Sequence, residues 1–399
     1  MKVLQVNCVY PGGSTGGIVQ NIQRELLARG DEAVVYYGRG PVCDEAHTHK
    51  IGAEWYGKMN NLRARVTGMP YGGCEWNTAR LLSCIRRERP DVVHLHCING
   101  FFVNIYHLVE WLKEQHIPTV LTLHAEFMHT GNCVHALDCE RWKTGCGQCP
   151  RLYEAVHAWF FDRTATSWRR MQRAFAGFDK LAVCSVSPWL CERAKQAPIL
   201  QNFSHRVVLN GLDTTVFRGQ PDAVALRQRY TPRGEKLVLH VTPHFQNRIK
   251  GGQHVLALAQ RLRDYPVRFL IVGEGTPSDL PDNVEAVGRI SDRRQLAALY
   301  TAADVTLLTS QKETFSMVCA ESLCCGTPVV GFCAGAPEQI ALPAYSRFVK
   351  QGNVPALEEA LLCCLEQLPD KEDVQRQAHS AYSQSRMVQE YISLYKELV

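Results

Sequence analysis

Two carboxylates that lie eight residues apart, Glu313 and Glu321, are the residues of this 399-residue chain whose spacing points most directly to chemistry. The apolar run 303–308 predicts a buried strand, and residues 317–325 predict a short helix that ends at Gly326. Glu313 then lies in the loop beside the free N–H groups of the helix start, and Glu321 lies one turn into the helix. Such a site could hold a ligand that carries both phosphate and hydroxyl groups, such as a nucleotide sugar.

The alternative interpretation is that Glu313 is an ordinary loop carboxylate and that Glu321 only keeps a helix surface solvated. The pair, however, follows a strand in an alternating strand–helix pattern. Ligands of parallel α/β sheets bind at the carboxyl ends of the strands. The position of the pair therefore favours a binding site.

Two glycine-containing loops precede predicted helices and could also hold phosphate. The segment Pro11-Gly-Gly-Ser-Thr-Gly-Gly17 follows the first predicted strand, and its glycines let a ligand approach backbone N–H groups closely. The segment Arg248-Ile-Lys250-Gly-Gly252 follows the first strand of the second half, and its two cations could neutralise the charge that develops on a diphosphate leaving group. A plain flexible turn and an exposed basic loop are the alternatives for these two segments.

A histidine, His124, ends the predicted strand Val120–Leu123 at its carboxyl side. An imidazole in that position could donate a hydrogen bond to a sugar hydroxyl or respond to the charge of a leaving group. A purely structural histidine is the alternative. His94 and His96 are expected to be core or rim residues.

Four cysteines within seventeen residues form a second candidate site. Four thiolates could hold a structural zinc ion tetrahedrally and would leave no open coordination position for catalysis. Free thiols, a local disulfide formed on isolation and an iron–sulfur site are the alternatives. The candidate ligands are Cys133, Cys139, Cys146 and Cys149.

Composition limits the class of protein. No apolar run approaches the roughly 20 residues of a membrane-spanning helix, and the N-terminus enters a predicted strand without a signal sequence, which predicts a cytoplasmic protein. A net charge of +5 is too small to imply nucleic acid binding. Arg163, Arg169 and Arg170 are interleaved with aromatic residues from Trp159 to Trp168, and this cluster could contact the inner face of the plasma membrane. An amphipathic helix with its aromatic residues in the core is the alternative.

Predicted strands and helices alternate through both halves of the chain, which indicates parallel sheets with helices on both faces. The length favours two domains. The predicted fold is therefore α/β, with two Rossmann-like, doubly wound parallel-sheet domains. The expected division is a first domain (1–200), a second domain (207–375) and a C-terminal helix (376–399).

Taken in order along the chain, these motifs resemble those of the GT-B glycosyltransferases, and among them family 4, the retaining group-1 type. The resemblance covers nearly the whole chain. It implies that the two domains face a central cleft, with the first on the acceptor side and the second binding the nucleotide sugar. It also implies that the C-terminal helix returns to the first domain. The cysteine-containing segment is similar to a subgroup of bacterial enzymes that build capsular, exopolysaccharide or lipopolysaccharide chains. The matching motifs are Gly12–Gly17, His124, 208–213 with Phe217, Lys250-Gly251, 270–275, 287–289, Glu313 with Glu321, and Gly335-Ala-Pro-Glu338.

The resemblance implies a retaining glycosyltransferase of the hexosyltransferase type that moves a sugar from a UDP- or GDP-sugar to a glycan acceptor, lipid-linked in cell-surface polysaccharide biosynthesis. The sequence has no Asp-x-Asp triplet with which to hold the donor through a divalent metal, so no cofactor is expected for catalysis. Two alternatives remain open. A GT-B nucleotide-sugar epimerase would release its sugar without an acceptor, and a non-catalytic GT-B-like subunit would bind a partner protein.

The same resemblance assigns roles to single residues. Glu321 would hold the ribose hydroxyls and Glu313 the donor sugar. Arg248 and Lys250 would neutralise the diphosphate, and His124 would contact the transferred sugar. The remaining donor-binding positions are Gly16, Gly17, Arg289, Thr314, Phe315, Ser316 and Met317.

One position departs from the family pattern. The family usually has Gly-Arg near the end of the strand that precedes Lys250, whereas this chain has Thr242-Pro-His244. His244 or Arg248 would then supply the missing cation.

Overall fold

The computed structural model describes residues 1–154 and 157–399, which fold into two compact units. The first unit comprises Met1–Val208 together with Val388–Val399, and the second comprises Leu209–Met387. Each unit is built on a parallel sheet whose strands alternate with helices. The predicted α/β class, with two Rossmann-like parallel-sheet domains, is confirmed.

Within the described residues, the sheet of the first unit has seven strands, all paired in parallel. The strands are β1 (Lys2–Val9), β2 (Glu32–Arg39), β3 (Thr48–Lys50), β4 (Val92–Leu95), β5 (Thr119–Leu123), β6 (Leu181–Ser185) and β7 (Ser204–Val207). Their order is β3-β2-β1-β4-β5-β6-β7. The helices of this unit are α1 (Gly13–Ala28), α2 (Glu54–Thr67), α3 (Glu75–Glu88), α4 (Ile105–Glu114), α5 (Thr164–Phe175) and α6 (Pro188–Gln196).

The second unit has six parallel strands within the described residues. They are β8 (Lys236–His244), β9 (Val267–Glu274), β10 (Val284–Gly288), β11 (Val305–Leu308), β12 (Val329–Phe332) and β13 (Ser346–Val349), in the order β10-β9-β8-β11-β12-β13. Its helices are α7 (Ala223–Tyr230), α8 (Gly252–Arg261), α9 (Arg293–Ala302), α10 (Met317–Cys324), α11 (Pro337–Ile340), α12 (Val354–Glu366) and α13 (Lys371–Tyr382).

The last helix, α14 (Gln384–Leu398), begins in the second unit and belongs to the first from Val388 onward. Two of its tyrosines bond to the central strands of the first sheet. The hydroxyl of Tyr395 lies 2.6 Å from Nδ1 of His94, and the hydroxyl of Thr122 donates to that of Tyr391 at 3.1 Å. These buried polar contacts fix the end of the chain to β4 and β5.

Each sheet reverses its strand order at one point. In the first sheet the reversal falls between β1 and β4, and in the second it falls between β8 and β11. The connections that leave two such neighbouring strands turn to opposite sides, which opens a crevice at their carboxyl ends. The second reversal therefore positions the loops that follow β8 and β11.

The central strands are buried because helices cover the faces of the sheets. All four residues of β4, β11 and β12 are buried. None of the helices formed by the described residues is long and apolar enough to cross a lipid bilayer.

Candidate functional site

The second unit brings Lys250 and Glu313 together at the reversal of its strand order. Lys250 ends a single helical turn after β8, and Glu313 lies in the loop after β11. The Nζ atom of Lys250 is 2.7 Å from Oε1 of Glu313, and the two side chains are 28% and 16% exposed. A partly buried ion pair thus occupies the position where ligands of open α/β sheets bind.

The glycine at position 251 lets the loop that carries Lys250 approach the end of β11 closely. Gly251 has a φ of +71°, and a Cβ atom there would lie 2.1 Å from the carbonyl oxygen of Thr309. The hydroxyl of Thr309 donates to the carbonyl of Lys250 at 3.1 Å. The loop that carries Lys250 therefore packs directly on the end of β11, and a side chain at position 251 would push it away.

A second set of backbone contacts fixes Glu313. Its N–H donates to the carbonyl of Ala334 at 2.9 Å. The carboxylate of Glu338 in turn accepts from the N–H groups of Ala334 and Gly335, each at 2.9 Å. Gly335 has a φ of +103°, which favours glycine. Sequence reasoning noted Glu338 as part of a motif, and the structure shows that it supports the loop beside Glu313.

The start of α10 lies next along the chain. Ser316 is its N-cap residue, and its hydroxyl accepts from the N–H of Cys319 at 3.4 Å. Ser316 has a φ of +83°, a left-handed conformation that turns the chain sharply into the helix. The side chain of Phe315 is 3% exposed and packs edge-on against Tyr382, so only its backbone is available to a ligand. The helix start carries partial positive charge that favours a bound anion.

Glu321 lies one turn into α10, as the sequence indicated, and is half-buried. The hydroxyl of Tyr300, on α9, donates to its Oε2 at 3.0 Å. Burial raises the pKa of Glu321 to about 7, although the hydrogen bond from Tyr300 and the charge of Arg293 act in the opposite direction. A carboxylate with so little solvation is stabilised by further hydrogen-bond donors, such as a pair of ligand hydroxyls.

Tyr300 was not identified from the sequence, because the only sign of a role in the site is its polar hydroxyl on an otherwise apolar face of the helix. Its ring is fully buried, and burial raises its pKa well above the usual value. A buried tyrosine hydroxyl normally has a partner. In the sequence that partner could not be identified, because it lies 21 residues further along the chain.

Some of the other predicted donor-site residues of the second unit lie in the same loops as Lys250 and Glu313, and one lies at the edge of the sheet. Arg248 is exposed on the same turn as Lys250. Met317 opens α10, and Thr314 lies two residues before the N-cap residue Ser316. Arg289 follows β10, the edge strand, and its Nη1 lies 3.3 Å from the carboxylate of Glu274. Two strands, β9 and β8, thus separate β10 from β11, and the structure does not bring Arg289 into contact with the ion pair.

In the first unit, His124 directly follows β5 and is half-buried. Its Nε2 lies 3.3 Å from Nδ1 of His96, which is fully buried, as is His94. Burial lowers the pKa of His124 to about 4, so its imidazole is neutral at physiological pH. A neutral imidazole can donate one hydrogen bond to a ligand hydroxyl.

The two predicted glycines, Gly16 and Gly17, both lie in the first turns of α1 but differ in their surroundings. A Cβ atom at Gly16 would lie 2.9 Å from the carbonyl carbon and oxygen of Pro11. A Cβ atom at Gly17 would have no neighbour within 4 Å. Gly16 is therefore required for packing, whereas Gly17 leaves open space beside the helix start.

This difference predicts opposite effects of two neighbouring substitutions. We expect Gly16→Ala to lower the free energy of unfolding by about 1–3 kcal/mol, because the added methyl group meets backbone atoms. We expect Gly17→Ala to leave it unchanged or to raise it by up to about 1 kcal/mol through the higher helix propensity of alanine. Urea unfolding of both variants measures the effect, and equal stabilities would contradict the assigned role of Gly16.

The four clustered cysteines, Cys133, Cys139, Cys146 and Cys149, are all free thiols in the segment between β5 and α5. Cys133 and Cys146 pack against the buried cluster of Ala136, Trp142 and Ala197, and the Sγ atom of Cys146 accepts from the N–H of Gly131 at 3.1 Å. Burial raises the pKa of Cys133 to about 11 and that of Cys146 to about 12. Among the described residues, no three His, Cys, Asp or Glu side chains form a group that could hold a metal ion. This arrangement gives the zinc prediction no support.

The aromatic residues of the predicted membrane cluster fall into two groups, one buried and one exposed. Trp168 is buried in α5, and its Nε1 donates to the carbonyl of Trp142 at 3.0 Å. Trp159, Phe160 and Phe161 are exposed. The core interpretation thus applies to Trp168 and not to the three residues of the preceding loop.

Two family models match the chain, one for each half. Residues 16–216 match the model described as "Glycosyltransferase Family 4", and residues 235–367 match the one described as "Glycosyl transferases group 1". Over its full length the chain is 24% identical to the putative colanic acid biosynthesis glycosyl transferase WcaC of Escherichia coli K12, all of which is covered.

Solved structures share the fold of the whole chain. The sucrose-phosphate synthase of Thermosynechococcus elongatus superposes with a TM-score of 0.72 at 17% identity, covering 100% of this chain and 99% of the other. Alr3699/HepE of Anabaena, solved in complex with UDP, superposes with a TM-score of 0.66 at 16% identity over both complete chains.

Proposed function

The chain belongs to glycosyltransferase family 4 and is a glycosyltransferase with the GT-B fold, and from this premise we propose its reaction. It transfers a sugar from a nucleotide-diphosphate donor to a glycan acceptor, with retention of configuration and without a catalytic metal ion. The acceptor is a lipid-linked oligosaccharide of cell-surface polysaccharide biosynthesis. The relative named for colanic acid biosynthesis and the bacterial enzymes that the cysteine-containing segment resembles support this class of acceptor.

The observation that carries the proposal is the Lys250–Glu313 ion pair at the reversal of the second sheet, beside the start of α10. An incoming diphosphate replaces Glu313 as the partner of the Lys250 ammonium. Glu313 is then available to accept hydrogen bonds from hydroxyls of the donor sugar. The N-terminal end of α10 and the exposed Arg248 add positive charge on the same side of the unit.

Glu321 holds the ribose of the donor in this proposal. Its carboxylate is poorly solvated and accepts at Oε2 from the hydroxyl of Tyr300. The two neighbouring hydroxyls of a ribose would supply further hydrogen-bond donors, and a deoxyribose would supply fewer. Ribose binding therefore explains why α10 carries an acidic residue, Glu321, although the start of the same helix is proposed to bind the diphosphate.

The transfer itself breaks the bond between the anomeric carbon and the diphosphate oxygen and forms a bond from that carbon to the acceptor oxygen. The acceptor proton passes to the departing diphosphate. Lys250 and the start of α10 stabilise the negative charge that develops there, which is the role that a divalent metal has in other glycosyl transfers. In the first unit, neutral His124 and the open space beside Gly17 are proposed to bind the transferred sugar. Retention rests on the family resemblance.

Thermal unfolding in the presence of nucleotides tests the donor site. We expect one of UDP, GDP, ADP and CDP, or one of their sugars, to raise the melting temperature with EDTA present, because binding to the folded state stabilises it. The shift should be lost in Glu321→Ala and kept in Glu359→Ala, which removes an exposed carboxylate of α12. If no nucleotide stabilises the protein, the donor-site proposal is wrong, and the result favours the non-catalytic alternative.

The product distinguishes transfer from the epimerase alternative. With the identified donor and an acceptor glycan, proton NMR of the new glycosidic bond is expected to show the anomeric configuration of the donor. A rearranged or free sugar formed at the same rate without acceptor would instead support an epimerase. An inverted anomeric configuration would overturn retention and leave the donor site intact.

A further inference from the structure

Two histidines, His96 and His124, meet just beyond the carboxyl ends of the neighbouring strands β4 and β5. Nδ1 of His96 lies 3.3 Å from Nε2 of His124, and Nε2 of His96 lies 3.2 Å from Oε1 of Gln5, on β1. Gln5 and His96 are fully buried, whereas His124 is half-buried. The three side chains therefore form a row that runs from the interior of the first unit to the carboxyl edge of its sheet.

Both imidazole rings of this row are neutral at physiological pH. Burial lowers the pKa of His96 well below its usual value, and it lowers that of His124 to about 4. A neutral imidazole carries one N–H, so one ring nitrogen donates a hydrogen bond and the other accepts one. The partners that each ring faces decide which nitrogen carries the proton.

The orientation of the row is set by the amide of Gln5. Its Nε2 donates to the backbone carbonyl of Val19, on α1, at 3.2 Å. A carbonyl oxygen only accepts hydrogen bonds, so an amide turned the other way would bring two oxygens together inside the protein. Oε1 of Gln5 therefore faces His96. Because this oxygen also only accepts, Nε2 of His96 carries the proton.

The proton on Nε2 of His96 determines the state of His124. With that nitrogen protonated, Nδ1 of His96 has a lone pair and accepts. The nitrogen that approaches it, Nε2 of His124, is then the donor, because two unprotonated nitrogens 3.3 Å apart would repel each other. The one N–H that neutral His124 has is thus directed at His96, and its Nδ1 atom carries a lone pair.

A third histidine prevents the ring of His96 from turning over. The rings of His94 and His96 lie 3.8 Å apart between their centres. His94 is itself held at both nitrogens, since Nδ1 lies 2.6 Å from the hydroxyl of Tyr395 and Nε2 lies 2.7 Å from the hydroxyl of Thr122. Reversal of His96 would require this ring to move as well, so the protonation pattern of the row is fixed by packing as well as by hydrogen bonds.

We propose that Gln5 and His96 are positioning residues that hold His124 as a hydrogen-bond acceptor toward the transferred sugar. The inference rests on the proposed function, in which His124 contacts that sugar, and it adds the direction of the contact. The sugar group that faces Nδ1 must donate, as a hydroxyl does. A carboxylate or carbonyl oxygen in the same place would meet the lone pair and be repelled. The site therefore favours a sugar with a hydroxyl at this position over the corresponding uronic acid.

The protonation pattern can be measured on the ligand-free protein. In a proton–nitrogen correlation spectrum of the full chain with isotope-labelled histidine, protonated and unprotonated ring nitrogens have different chemical shifts. We expect His96 and His124, assigned from variants that lack each ring, to be protonated at Nε2. A proton on Nδ1 of His124 would overturn the inference and leave the donor site as proposed. Because no nucleotide is present, failure of the donor site does not affect this result.

Gln5→Met tests the positioning role, because it keeps the length of the side chain and removes the acceptor that orients His96. We expect His124 protonated at Nδ1 to appear in the spectrum as part of a mixture, and the affinity for the donor to fall by up to roughly tenfold. Gln23→Met is the matched control, since Gln23 is also a buried glutamine and accepts from the hydroxyl of Tyr10 at 2.7 Å. It should keep the parent spectrum and affinity. A parent spectrum in Gln5→Met would remove Gln5 from this role.

Donor analogues test the direction of the sugar contact. Each hydroxyl of the sugar in the identified donor is replaced in turn by hydrogen or by fluorine, and binding is measured by titration calorimetry. Fluorine cannot donate a hydrogen bond, so at the position that faces His124 both analogues should bind more weakly than the donor, by up to roughly tenfold. The difference should vanish in His124→Phe. A fluorinated analogue that binds like the donor where the deoxy analogue binds weakly would show that His124 donates, and would overturn the inference.

Discussion

Replacement of Lys250 by alanine is expected to lower kcat by about 10²–10³-fold, because it removes a preorganised positive charge from the departing diphosphate. The substitution also leaves Glu313 without its ion-pair partner. An unpaired carboxylate beside the phosphates would repel them and add to the loss. Initial rates at saturating donor, measured with the donor that the thermal panel identifies, give this effect directly.

Two further variants make the result specific. Glu313→Ala should also depress kcat, and the double variant should lose less than the sum of the two single losses, since the side chains act as a coupled pair. Arg263→Ala removes an exposed cation that pairs only loosely with Asp264 at 3.5 Å, and it should turn over normally. Near-normal kcat in Lys250→Ala would remove this residue from the proposed site.

Donor binding is expected to strengthen as the pH rises through 7, because Glu321 must be ionised to accept hydrogen bonds from two ribose hydroxyls. Its pKa is raised to about 7 by burial, so the carboxyl is largely protonated at pH 5.5 and largely ionised at pH 8. Affinity for the intact nucleotide sugar should rise roughly tenfold or more over this range. Titration calorimetry at several pH values measures it, and Glu321→Gln should bind weakly with a flat pH profile.

Two groups next to Glu321 do not titrate in this range. The pKa of Tyr300 is raised well above its usual value, and burial raises that of Cys324 to about 12. A pH profile of the parent protein as flat as that of Glu321→Gln would contradict the ribose role. Glu359→Gln, on the exposed face of α12, is the matched control and should keep the parent profile.

The same raised pKa has a consequence for stability without ligand. The folded state binds the proton of Glu321 more tightly than the unfolded chain, whose glutamate pKa is 4.5. The free energy of unfolding should therefore fall as the pH rises from about 5 to about 7, by up to about 3 kcal/mol. Glu321→Gln should match the parent protein at pH 5 and exceed its stability at pH 8.

The alternation of strands and helices was readable from the sequence because buried parallel strands are short, β-branched runs between amphipathic segments. The α10 start, with Glu313 before it and Glu321 within it, followed from the same pattern. The Lys250–Glu313 contact could not follow from local pattern, since it joins residues 63 positions apart and depends on which strands are neighbours. Only the family resemblance placed both residues in one site before the structure was known.

Surface exposure was the least predictable property. Residues 55, 59, 62 and 66 have the spacing of a core-facing helix, and the pattern alone cannot tell which face meets the core. Tyr56, Asn60 and Ala64 take that face instead. Zinc binding by the cysteine segment stays a prediction for a related reason. Its spacing fits four-thiolate ligation, but ligation depends on how the loop folds back on itself, and this is set by contacts such as that of Cys146 with Gly131.

The contact between Lys250 and Glu313 also bears on the end of the proposed catalytic cycle. In that cycle, the sugar hydroxyls would occupy Glu313 and the diphosphate would occupy Lys250 while the donor is bound. Once the sugar has moved to the acceptor, Glu313 would lose its partner and compete again for the ammonium group, which lies 2.7 Å from it in this structure. We therefore expect the product nucleotide to be held less firmly than the intact donor, so that the nucleoside diphosphate generated at every turnover inhibits only weakly.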